Sequence, residues 1–134
     1  MKETRAIYAK ADATWSRFSC PSTAECCQLA TTQREPWLWP SEWAVLTEGR
    51  ALPERRADGA CPFLDATGRR CSAYADRPLG CRTFFCHRIV GPAKQPVLEM
   101  NALLTRLERV NLDADETAEP KPLMKWYEAA KNAP

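Results

Sequence analysis

Apolar positions recur at intervals of three and four near both ends of this chain, and the pattern breaks down between them. Over residues 4–18, Ile7, Ala11, Trp15 and Phe18 form the stripe of an amphipathic helix, a face expected to pack on the core. Cys20-Pro21 ends that helix, because the residue before proline is pushed out of the α region. Ser22 or Thr23 then stands where it can cap a short turn presenting Cys26 and Cys27. A second helix is expected over 97–110, with Leu98, Ala102, Leu103, Leu107 and Val110 as its apolar face. A last helix is expected over 122–130, behind an acidic stretch at 113–119.

The middle of the chain reads in shorter pieces. Residues 34–40 form an extended aromatic link between two prolines, and 41–48 a short helix with Ser41 as N-cap and Gly49 as its stop. Trp37, Trp39 and Trp43 are read as cover for a core short of aliphatic mass, in preference to a recognition surface. Cys61-Pro62-Phe63-Leu64 and Cys71-Ser72-Ala73-Tyr74 suggest a hairpin around Asp65-Ala66-Thr67-Gly68, with Cys61 and Cys71 near one another at its outer ends. Asp76-Arg77-Pro78 opens a helical turn that carries Cys81 and leads to Cys86. Those two cysteines are five apart, off any one helical face, so an irregularity near Phe84-Phe85 is expected.

Composition narrows the class. With 134 residues one core suffices, while 11 prolines and a mean hydropathy of -0.47 imply a loop-rich one. No apolar run approaches the roughly 20 residues of a membrane helix. The opening MKETRAIYAKADATW lacks an apolar leader core and carries Glu3 and Asp12, so a cytoplasmic location is expected and membrane association is not. A net charge of +2 falls short of a nucleic-acid-binding footprint.

The chemistry sits in seven cysteines at 20, 26, 27, 61, 71, 81 and 86. A disulfide framework is disfavoured by the odd count, the missing export signal and the adjacency of Cys26 and Cys27. Buried cysteine used as a small hydrophobe does not account for four of them within 61–86. A metal centre does, because thiolates are soft ligands suited to zinc and to iron–sulfur clusters. Cys20, Cys26, Cys27, Cys61, Cys71, Cys81 and Cys86 are therefore the candidate ligands, with His87 beside Cys86 as a further ligand or outer-shell partner. Seven thiolates exceed the needs of one zinc ion, and the usual paired C-x2-C spacing of a zinc ribbon is missing. Arg69, Arg70, Arg77, Arg82 and Arg88 crowd the segment, where positive charge favours the thiolate form.

The stretch CPFLDATGRRCSAYADRPLGCRTFFC (61–86) resembles the YkgJ-like, or CxxCxxCC, cysteine-cluster family of zinc- or iron-chelating domains. The resemblance is carried by Cys61, Pro62, Phe63, Leu64, Cys71, Ser72, Tyr74, Arg77, Pro78, Cys81, Arg82, Phe84 and Cys86. The earlier family motif, C-x2-C-x2-C-C, appears from Cys20 to Cys27 with Thr23 where a cysteine would stand. Related clusters occur in flagellin lysine methylases, where the family picture points to an iron–sulfur cluster; an enzymatic role here would rest on that analogy.

The expected fold is mainly α with a small β-hairpin, a small irregular metal-stabilised single domain over 1–134. Its cysteine core covers about 20–88, flanked by helices at 4–18, 97–110 and 122–130. The expected function is a metal-binding protein holding an iron–sulfur or zinc centre, for metal or electron handling or protein maturation, with a protein partner. The alternatives are a redox or methyl-transferring enzyme built on the same cluster, and a partner-binding module in which zinc only fixes the fold.

Overall fold

The computed structural model of the protein describes residues 1–16, 35–68, 70–82 and 96–133. Those residues are mainly helical with a two-stranded antiparallel sheet. Helix α1 spans Lys2–Thr14, strand β1 Trp37–Leu38 and helix α2 Pro40–Thr47. A 3-10 turn at Tyr74–Asp76 leads to the short helix α3 at Leu79–Arg82. Helix α4 covers Val97–Ala114, β2 Lys121–Pro122 and α5 Leu123–Lys131. Among the described residues no helix is long and apolar enough to cross a membrane.

Two apolar clusters share α2. On one side Val45 packs with Ile7, Ala11 and Trp15 of α1, Leu79 of α3, and Leu103 and Leu107 of α4. On the other, Leu46 packs with Leu38, Phe63, Leu64, Ala73 and Leu123. The stripe read for α1 is thus buried as expected, except that the helix closes at Thr14, where the Trp15 N–H reaches Ala11 O at 2.9 Å. Phe18 and the Cys20-Pro21 stop lie outside the described residues.

Three local expectations need correction. The N-cap of α2 is Trp39, with Pro40 in the first turn, where its missing N–H costs nothing. Ser41 instead joins a polar knot: its N–H donates to Asn111 Oδ1, and its Oγ accepts from Asn111 Nδ2 and from Thr4 Oγ1, each at 2.9 Å. On α4, Leu103 and Leu107 are buried but Leu98 and Ala102 face outward, and the face continues instead through buried Asn111. The 61–74 hairpin contracts to a single antiparallel bridge, Leu64 opposite Cys71. The paired strands are long-range: β1 runs against β2 with Trp37 opposite Pro122 and Leu38 opposite Lys121.

That sheet docks α5. Leu123 N–H donates to Pro36 O (2.9 Å), Trp126 Nε1 to Leu38 O (2.9 Å) and Tyr127 Oη to Pro53 O (2.6 Å). Trp43 stacks on Trp126 and meets Phe63 edge-on, so this tryptophan does cover the core as expected. Trp39 packs against the other cluster, whereas Trp37 remains 60% exposed.

Candidate metal centre

Residues 50–68 and 70–73, which carry Cys61 and Cys71, have little regular structure, so side chains hold their backbone. Arg56 is the main strap on the first part. Its Nε and Nη2 donate to Asp58 at 3.0 and 2.8 Å, while Nη1 donates to Asp65 O at 2.6 Å. Asp58 also accepts the Ala60 N–H, and the Arg56 guanidinium, followed by that backbone bond, holds its carboxyl down at about 2. The carboxylate therefore stays charged.

Cys61 itself is buried in the cluster around Leu46, Phe63 and Leu64, and its carbonyl accepts the Leu64 N–H at 3.0 Å, turning the chain. Cys71 packs half-buried against the same cluster, across the bridge from Leu64. It stands next to the turn and not at a hairpin's outer end, because the pairing register sets Leu64, not a residue nearer Cys61, against it. Ser72 fixes that register twice over, with N–H and Oγ both donating to Phe63 O at 2.6 Å.

The next segment is held from several directions. Asp76 accepts from Arg50 at 2.7 Å and from Arg5 at 2.6 Å. Burial works against its ionisation, but the two guanidinium hydrogen bonds prevail and keep its carboxyl below the ordinary range. Arg77 donates to Tyr74 O at 2.9 Å and lies over the Tyr74 ring. Pro78 O accepts the Cys81 and Arg82 N–H groups, which starts α3. The Arg82 side chain is only 4% exposed; it donates to Arg77 O (2.8 Å), Ala75 O (2.5 Å) and Asp12 (2.7 Å), and its guanidinium lies 4.3 Å from the centre of the Tyr8 ring.

At the start of α3 lies a buried carboxylate that sequence reading missed. Glu42 Oε2 accepts from the Leu79 N–H at 2.7 Å and from Tyr8 Oη at 3.0 Å, and Oε1 accepts from the Trp39 N–H at 3.1 Å. Burial pushes the Glu42 carboxyl up, opposed by these three donors and by Arg82. Burial also pushes the Tyr8 hydroxyl up, helped by Glu42, so Tyr8 keeps its proton and donates it; Cys81 is close enough to add to that effect. The one available signal was Glu42 in the first turn of a helix, where a glutamate can reach back to the N-cap N–H.

Of the seven candidate ligands, Cys61 and Cys71 share one cluster, and Cys81 lies on α3, whose Leu79 packs in the other. Cys20, Cys26, Cys27, Cys86 and also His87 lie outside the described residues. Among the described residues no three histidine, cysteine or acidic side chains gather into a group able to hold a metal. The donor chemistry nevertheless fits zinc or iron: the described candidates are sulfur ligands on side-chain-braced turns.

No curated protein and no solved structure matches the chain. A family model described as a "putative zinc- or iron-chelating domain" matches residues 19–103, a span that holds all seven cysteines. With well over half of its length matched, the chain belongs to the CxxCxxCC family.

Proposed function

We propose that this protein holds a zinc or iron centre through Cys20, Cys26, Cys27, Cys61, Cys71, Cys81 and Cys86 and handles the metal, or its electrons, for a protein partner in the cytoplasm. The observation that carries this reading is the family match across the whole cysteine set. The braced backbone around Cys61, Cys71 and Cys81 supports it: each of these three cysteines sits on or beside a turn fixed by named side chains. When bound, zinc would supply a redox-inert tie and an iron–sulfur cluster a one-electron couple. The chain's own residues keep thiols and cationic groups together.

Elemental analysis with an absorption spectrum, on protein purified without oxygen, tests the reading. Iron with matching acid-labile sulfide and a brown chromophore selects a cluster; stoichiometric zinc without colour selects a zinc site. Cys71→Ser is expected to lower metal content and thermal stability together, since ligation contributes folding energy. A wild-type chain that holds no metal and takes up neither Zn²⁺ nor Fe²⁺ overturns the proposal.

A further inference from the structure

Three side chains of α1, Arg5, Tyr8 and Asp12, stand at spacings of three and four and so share one helix face. All three grip the segment that carries Cys81. Arg5 bonds Asp76 at 2.6 Å. Tyr8 donates to the Glu42 oxygen that also accepts the Leu79 N–H, at the start of α3. Asp12 pairs with Arg82 at 2.7 Å, and the Tyr8 ring lies against the same guanidinium. Cys81 lies two residues after Leu79 and directly before Arg82, and those two are fixed from α1, the first through Glu42 and the second directly. The family match begins at residue 19, beyond the end of α1.

We propose that α1 is a clamp that sets the position of Cys81, making metal retention in this chain depend on a helix that the chelating domain does not include. The proposal rests on the metal-binding reading above. Arg82 gives the clamp its grip. A guanidinium this buried needs its partners, and it spans from the Ala75 and Arg77 carbonyls to Asp12. By linkage the effect is reciprocal: whatever α1 docking adds to metal affinity, metal adds to α1 docking.

The test compares release of metal to a chelator from purified full-length wild type, Tyr8→Phe, Asp12→Ala and the milder Asp12→Asn. Arg55→Ala serves as control, because the partners it loses, an exposed pair with Glu128 and a ring contact with Tyr127, both lie on α5 and not on α1. Tyr8→Phe keeps the ring under Arg82 and removes one hydroxyl. The Tyr8 and Asp12 variants are expected to release metal about tenfold faster, the usual scale for losing an outer-shell partner. The control should match wild type, and removing metal from wild type should raise amide exchange in α1. Equal release rates in wild type and in every α1 variant, even with lowered stability, would overturn the clamp and leave the metal reading standing. A wild-type chain that holds no metal and takes up neither Zn²⁺ nor Fe²⁺ overturns both.

Discussion

Asp76 shows how much one carboxylate can organise. It joins Arg5 of α1 to Arg50 after α2, and it does so from the 3-10 turn that leads to Cys81. Its folded carboxyl lies below the ordinary range, so its contribution is present above the unfolded value of about 3.9 and is lost as pH falls through the lower folded one. Asp76→Asn is expected to cost about 1–2 kcal/mol at neutral pH, since hydrogen bonds to charged groups are at stake and Arg5 is partly solvated. Urea unfolding across the acid range checks this: the variant's stability should fall less steeply below about pH 4 than that of wild type. None of this was legible in the sequence. Asp76 was read only as the start of a helical turn, because its partners lie far away in the chain, 71 and 26 residues distant.

Among the elements, the ones with strong apolar spacing were readable and the ones set by polar contacts were not. The α1 stripe and the pair Leu103 and Leu107 are where the periodicity puts them. The apolar face read for helix α4 stops at Val110. The helix runs on to Ala114 because Asn111 is satisfied in the interior, by Ser41 and by the Leu107 carbonyl. Ser41 reads as a cap from its place at the head of a short helix, and a contact 70 residues away claims it instead. Helix α5 is the element most open to a direct trial. Leu123→Ala removes a fully buried side chain from the cluster of Leu38 and Leu46 and should cost about 2–5 kcal/mol in chemical denaturation. A cost under 0.5 kcal/mol would mean that α5 is not integral to that cluster.

For the molecule as a whole, the cysteine spacing made the family legible before any coordinates, whereas the bracing from α1 was not. Its contacts join residues 5–12 to residues 42–82, and no motif spans that distance. A chelator should lower the Tm of the metal-loaded protein. A metal present at a hundred times its dissociation constant supplies about 2.7 kcal/mol, and that contribution is withdrawn when the metal leaves. An unchanged Tm in thermal unfolding, with metal removal verified, would show that the metal contributes nothing to folding.

The β1–β2 pairing also has a consequence for the order in which the protein is made. The cluster that covers Cys61 includes Leu123, and β2 begins only at Lys121. Even the last cysteine, Cys86, is therefore synthesised roughly 35 residues before β2, about 2–7 s at 5–20 residues per second, and the others earlier still. During that interval Cys61 and Cys71 lack a wall that the finished cluster gives them, so metal and oxidant compete for these two thiols before that side is closed.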